Sequence, residues 1–291
     1  MKVLIPIDGS QAALNAVRLV CEHRDNFNEL SSVLLMNVAK PLATEVTEDI
    51  EQYGPLSDLN HQKLEDYYRS QSDIVFEVAE NLLKQSAIDY RKIYDHGVIA
   101  TKIQQRAEEE RVDLIVMGTR GQTAFESLLF GSVMTQVIAI TSIPTLVVSH
   151  QYSGKQNSHA NIAVAMDTLE DVTKPLGYVI SHQNVFGPQA SYRLVHVEVD
   201  HEATTLSQSS EERIEIDRLN WNQKCQHKID RLECVRLRGE PGMSLVDYCR
   251  REKIDLIVMG SHGYGRLRSA LIGSFVRRVA SLTAIPLLII R

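Results

Sequence analysis

The chain has 291 residues, 44% of them hydrophobic and 23% charged, with a net charge of −6. The length suggests about two domains, and the composition suits a chain that buries a real core. The acidic balance, with no long Lys/Arg stripe, argues against nucleic acid as a partner, and no run approaches the roughly 18 apolar residues of a membrane helix.

In chain order, Lys2–Asp8 is a short apolar run that reads as a buried strand, and Asp8-Gly9-Ser10 as a strand-to-helix turn with Ser10 as N-cap. Its apolar run is too short for a signal peptide. Helical spacing of Ala13, Val17 and Val20 predicts a helix over 11–23, and Ser32–Val38 a second buried strand. Residues 39–56, with Pro41, Gly54, Pro55 and four carboxylates, read as a long polar loop. A helix is expected from Ser57 to about Ser86, with its apolar face at Ile74, Val78 and Leu82. Asp89–Tyr94 is the third strand. Residues 98–110 form a helix ending in the charged run Glu108–Arg111, read as a solvated face. Val112–Met117 is the fourth strand, Ser132–Thr141 a helix and Pro144–Val148 a fifth strand.

Residues 150–159, HQYSGKQNSH, are polar and without apolar period. They divide the chain into domain 1–150, a linker 151–159 and domain 160–291. The pattern then restarts. Strands are expected at Ile162–Met166 (ending at Asp167), Leu194–Val197, Ile254–Met259 and Pro286–Ile290. Helices are expected at about 209–229, which holds Trp221, and at 243–252 after the turn Arg238–Gly242. Strands that are continuous apolar runs, alternating with helices, imply α/β domains built on parallel sheets covered on both faces.

The two halves repeat. DLIVMGTRGQTAFESLLFGS at 113–132 returns as DLIVMGSHGYGRLRSALIGS at 255–274. Gly118/Gly260, Gly131/Gly273, Thr141/Thr283 and Pro144/Pro286 are each 142 residues apart, so the halves match without a gap from the fourth strand onward. Asp8 and Asp167 are 159 apart, so the second half is 17 residues shorter before its glycine stretch. Repetition at domain length implies two like domains.

Each copy is a strand, a glycine loop and a helix start. Gly118 and Gly121, like Gly260 and Gly263, let backbone turn and approach an anion closely. Gly131 and Gly273 open helices whose N–H groups and dipole favour negative charge, and Ser132 and Ser274 add hydroxyls. Asp8 suits ribose hydroxyls, or a Mg²⁺ shared with phosphates. In an open parallel sheet, ligands bind at the carboxyl ends of the strands where the order reverses. If strands one and four are neighbours there, Asp8 and the glycine loop face one crevice and describe a nucleoside phosphate. Neither copy is a Walker A loop, since no Gly-Lys-Ser/Thr follows, and neither fits the dinucleotide G-x-G-x-x-G.

With G-x-x-G, nine residues and G-S in both halves, the chain resembles a tandem universal stress protein. The resemblance covers nearly the whole chain. It implies two open-sheet domains, each a five-stranded parallel sheet of order 3-2-1-4-5 flanked by four helices, with ATP or AMP at the strand ends. Asp8 and Asp167 match the family's strand-one aspartate. Val38 and Val197 match the strand-two valine whose backbone meets adenine. Thr119, Arg120 and Val133, and Ser261, His262 and Phe275, fall within or beside the motif. The second half departs from the first: Thr168-Leu169 replace Gly9-Ser10, and Phe275 stands where Val133 does.

The reading is a nucleotide-binding stress or signalling protein whose ligand changes its conformation or its choice of protein partner. The alternative is a slow Mg-dependent ATPase or self-phosphorylating enzyme using Asp8 and Ser132, and a third option is an adaptor binding another small molecule. No catalytic base stands out, and the histidines, among them His96 and His196, make no metal constellation. Ser10 reads as a cap rather than a nucleophile. Arg266 and Arg268 read as a solvated face or as a balance to phosphate charge. The cysteines, Cys21, Cys225, Cys234 and Cys249, contain no C-x-x-C and read as buried reduced thiols. A cytoplasmic location is expected. In single-domain relatives the last strand pairs two subunits, so PTLVV and PLLII are expected to pair within this chain as a pseudo-dimer; a homodimer of two chains stays open.

Overall fold

Ten strands form one sheet in the order β3-β2-β1-β4-β5-β10-β9-β6-β7-β8. The structure is a computed structural model that describes residues 1–24, 32–39, 58–119, 131–154, 160–166, 173–182, 190–198, 232–261 and 273–291. The strands of the first half are β1 (Lys2–Pro6), β2 (Ser32–Ala39), β3 (Tyr90–His96), β4 (Leu114–Gly118) and β5 (Thr145–Val148). Its helices are α1 (Gln11–Glu22), α2 (Asp58–Gln85), α3 (Ile99–Glu109) and α4 (Ser132–Ile140). The second half has β6 (Asn161–Met166), α5 (Thr173–Ser181), β7 (Ser191–Glu198), β8 (Leu232–Arg238), α6 (Pro241–Arg251), β9 (Leu256–Gly260), α7 (Ser274–Leu282) and β10 (Leu287–Ile290).

Within each half every strand pair is parallel. The central strands are buried on both faces, as their unbroken apolar runs require. One hydrophobic layer, on the side of α1, α2 and α5, joins Val3, Ile5, Val17, Phe76, Ile162 and Leu176. The opposite layer, with α3, α4, α6 and α7, joins Leu4, Ile103, Met134, Leu245, Ile257 and Val276. Both layers run through both halves.

The halves meet where β5 and β10 pair antiparallel, Leu287 opposite Val147, Leu288 opposite Leu146 and Ile289 opposite Thr145. Pairing within the chain covers two apolar edges that would otherwise be exposed. Asn15, buried on α1, fixes the exit from β5. Its Nδ2 donates to the carbonyls of Ser149 and His150 at 3.1 Å each and reaches that of Tyr152 at 3.5 Å. Tyr152, within the polar stretch read as linker, donates its hydroxyl to Glu22 at 2.7 Å. The first residues after β5 are therefore docked on α1.

Several expectations change. The face of α2 that packs is Ser72, Phe76, Ala79 and Leu83, whereas Ile74 and Val78 are 67% and 50% exposed. Both stripes have helical spacing, and Phe76 carries the larger apolar surface to the sheet. The charged run after α3 is more than a solvated face: Glu110 holds Arg91 at 2.5 Å and Lys2 at 3.6 Å. Cys249 is buried, and burial pushes its thiol up to about 12, but Cys234 is exposed on an edge strand. Two elements, α5 and β8, lie at residues that the sequence pattern did not mark. Pro175 and Gly177 hide α5, although Pro175 lies in its first turn, where a missing N–H costs little. The charged alternation LECVRLR hides β8, an edge strand with a largely exposed face. The loop expected at 39–56 gives up Ala39 to β2; its remainder, 40–56, and the expected helix 209–229 with Trp221 lie outside the described residues, so the second half shows three helices among those described.

Replacing Asn15 by Ala removes the buried amide that donates to the Ser149, His150 and Tyr152 carbonyls and is expected to destabilise the chain by about 1 kcal/mol in a denaturant titration. Asp95 gives a pH test. Burial pushes its carboxyl up, but Lys102 at 3.0 Å, the His96 N–H at 2.8 Å and Arg106 at 3.4 Å outweigh burial and lower it. Since the folded value lies below the ordinary 3.8, Asp95 stabilises fully above that pH and ceases to as pH falls through the folded value. Asp95→Asn is therefore expected to lower the thermal midpoint at pH 7 and to leave it unchanged at the acid end of the carboxylate range.

Candidate functional site

The carboxyl end of β1 meets the carboxyl end of β4, its neighbour in the sheet. At the first, Gly9 takes φ +79° and turns the chain into α1. The Ser10 N–H donates to Asp8 Oδ1 at 3.0 Å, and Ser10 Oγ accepts from the Ala13 N–H at 3.3 Å. Ser10 is thus the cap of α1, and the Asp8 carboxylate is set by the turn that starts the helix.

At the second end, Gly118 is a glycine for a reason the motif alone does not state. A Cβ there would lie 2.6–2.7 Å from the backbone of Ala12 and Ala13. The missing side chain lets the first turn of α1 sit against β4, which brings the turn that carries Asp8 to the strand end from which the glycine loop leaves. The next residue, Thr119, donates its N–H to the Val148 carbonyl at 2.9 Å. Gly131 returns to donate its N–H to the Thr119 carbonyl at 2.8 Å. The loop is therefore stapled at its two ends. In the second half the Ser261 N–H donates to Ile290 at 2.8 Å, and the Gly273 N–H to Ser261 at 3.2 Å. The repeat in sequence is a repeat in hydrogen bonding.

Helices α4 and α7 start at these staples, with Gly131 and Gly273 as N-caps that supply no side-chain cap. Their first-turn N–H groups receive nothing from a capping side chain, and the helix dipole adds positive potential there. Ser132 and Ser274 are the first residues of the two helices. The Val133 and Phe275 side chains pack against the same hydrophobic layer, so the exchange between halves is made partly in the core. Thr119 is 7% exposed, and its Oγ1 is buried without a hydrogen-bond partner among the described residues. Such an atom costs about 1–3 kcal/mol unless something supplies a partner.

Val38 and Val197 are 9% and 7% exposed, their side chains in the core layer, so what they can offer a ligand is backbone. Gly260 ends β9 as Gly118 ends β4. Arg120, Gly121, Asp167, His262 and Gly263, with Arg266 and Arg268, lie outside the described residues.

The structure adds groups that the sequence reading passed over. Asn37 is buried on β2 and donates through Nδ2 to the Ile7 carbonyl at 2.7 Å; its Oδ1 accepts from Ser72 Oγ of α2 at 2.8 Å. This chain holds the residue before Asp8. In the second half His196 stands in its place, its Nδ1 at 3.3 Å from the Met166 carbonyl, just before Asp167. A polar residue inside the apolar run SVLLMNV was the available signal. The aspartate of DLIVMG also gains a role: Asp113 accepts the Lys2 N–H at 2.7 Å and Asp255 the Asn161 N–H at 2.8 Å, tying the starts of β1 and β6.

Among the described residues no helix is long and apolar enough to cross a membrane. The universal stress protein family model matches residues 1–149 and again 160–291. A universal stress protein of Synechocystis is 25% identical over 236 residues, which covers 80% of this chain and 74% of that protein. One from Methanocaldococcus jannaschii is 27% identical over 152 residues, covering 50% of this chain and 81% of the relative. The crystal structure of a universal stress protein from Archaeoglobus fulgidus shares the fold, with a TM-score of 0.70 at 18% identity, over 100% of this chain and 98% of that one. The chain belongs to the universal stress protein family and carries the family's domain twice.

Proposed function

We propose that this chain is a nucleotide-binding stress or signalling protein that takes ATP or AMP at the strand ends and changes conformation or protein partner with occupancy. The observation that carries the reading is the orphaned Thr119 hydroxyl. It lies between a glycine demanded by close packing and a helix start with no capping side chain. A phosphate oxygen at the first turn of α4 would accept from the backbone N–H groups, from Ser132 and from Thr119. In this reading the Val38 backbone meets the base and Asp8 a ribose hydroxyl. A carboxylate oxygen is also a hard ligand, so Asp8 suits a Mg²⁺ carried in with the nucleotide, which would neutralise phosphate charge. The second half offers the same staple with Ser261, Ser274 and Phe275, and a partner of its own is open to it. The assignment of Arg120, Gly121, Asp167, His262 and Gly263 to the two sites rests on the motif. The domain division at 150 and 160 belongs to the same proposal, as does a cytoplasmic location.

Titration calorimetry with ATP, ADP and AMP tests this on the wild type and on a Gly121→Val, Gly263→Val double variant. The wild type is expected to bind and the double variant not; equal binding in both, or none in either, overturns the reading. Gly118→Ala is a sharper probe. Its new methyl must displace α1 from β4, at about 1–3 kcal/mol of stability. It is expected to lower ATP affinity at the first site and to leave the second unchanged.

A further inference from the structure

We infer that the outward face of α2 is a docking surface for a second copy of this chain, with the two α2 helices lying antiparallel across a two-fold axis. The inward face is already taken, since Ser72, Phe76, Ala79 and Leu83 are buried. On the opposite side Tyr67, Ile74 and Val78 are exposed. Three of the six large hydrophobic side chains exposed among the described residues therefore lie on one helix face. A scattered surface hydrophobic needs no explanation, but a row of them marks a contact. The row is regular. Tyr67, Gln71, Ile74, Val78, Asn81 and Gln85 follow one another at alternating steps of four and three residues, and all six are exposed. That alternation is the seam of a coiled coil.

The charges beside the seam choose the occupant. Glu77 and Lys84 stand one residue before Val78 and Gln85, and both are exposed. Among the described residues neither makes an ion pair, whereas Asp73 and Glu80 of the same helix are engaged by Lys92 of β3. When two α2 helices run antiparallel with Val78 beside Asn81 of the other copy, Glu77 of each faces Lys84 of the other. The two-fold axis makes this ion pair twice. The same register sets Ile74 beside Gln85, and Val75 beside Leu82, two half-buried apolar residues on the other flank of the seam. One register thus answers charge with charge on one flank and apolar with apolar on the other. A parallel pair would put Glu77 beside Leu82 and leave both charges unanswered. The polar Asn81 and Gln85 within the seam weaken the contact but fix its register.

The place in the fold suits such docking. Helix α2 packs on β2 and β3 at the outer end of the ten-stranded sheet, so the join of β5 and β10 is untouched by it. One helix against one helix buries less than the roughly 1,600 Å² of a standard interface, so the dimer is expected to dissociate in the micromolar range.

Sedimentation equilibrium on the full chain, across the micromolar range, tests the proposal. The wild type is expected to pass from monomer to dimer as concentration rises. Ile74→Asp is expected to weaken the dimer at least about tenfold with no loss of thermal midpoint, because Ile74 faces water in the single chain. Glu77→Lys and Lys84→Glu each set like charges face to face and are expected to cost roughly tenfold in affinity. The double variant Glu77→Lys, Lys84→Glu restores opposite charges and should dimerise as the wild type does. A dimer that neither Ile74→Asp nor a single charge reversal weakens, or that the double variant does not restore, overturns the assignment. A chain that stays monomeric throughout overturns it too, and leaves a different protein as the occupant of this face.

Discussion

Everything in this molecule is referred to the antiparallel contact between β5 and β10. Each half alone would end in an apolar strand with unpaired N–H and C=O groups on one side. Joined, Thr145–Val147 and Leu287–Ile289 become the middle of a ten-stranded sheet, and the two hydrophobic layers run across the join. The same strands also reach the sites. Val148 and Ile290, at the ends of β5 and β10, accept the hydrogen bonds that hold Thr119 and Ser261. A single pairing thus unites the halves and sets the base of each glycine loop.

Much of this was legible from the chain. Unbroken apolar runs such as LIVMG announce strands buried on both faces, and the 142-residue register announces the duplication. What the pattern hid had physical causes. On α2 two stripes compete at helical spacing, and only the sheet decides between Phe76 and Ile74. Edge strand β8 has one largely exposed face, so it reads as a charged loop. At the site, Asp8, Gly118 and Ser10 were visible because each is an unusual residue at the end of an apolar run. Asn37 and Ser72 were not, because they meet only after α2 folds back on β2, 35 residues on.

The two halves keep one backbone scheme and vary what hangs on it. Both staple the loop, tie the aspartate of DLIVMG to the first strand and turn after the third strand at a glycine with positive φ. The variation falls at the rim: Asn37 against His196, Val133 against Phe275, His96 against Arg238. A backbone fixed by packing leaves side chains at the strand ends free to diverge, which is where two copies of one fold can acquire separate chemistry.

The reversed direction at the join has a spatial consequence. Since β4 runs parallel to β5, β9 parallel to β10, and β5 against β10, the carboxyl ends of the two halves point to opposite rims of the sheet. With strands of four to eight residues, those rims stand about 13–26 Å apart across the sheet at about 3.3 Å per residue. The two candidate sites therefore lie at opposite rims, and a small flat surface docked over one leaves the other open.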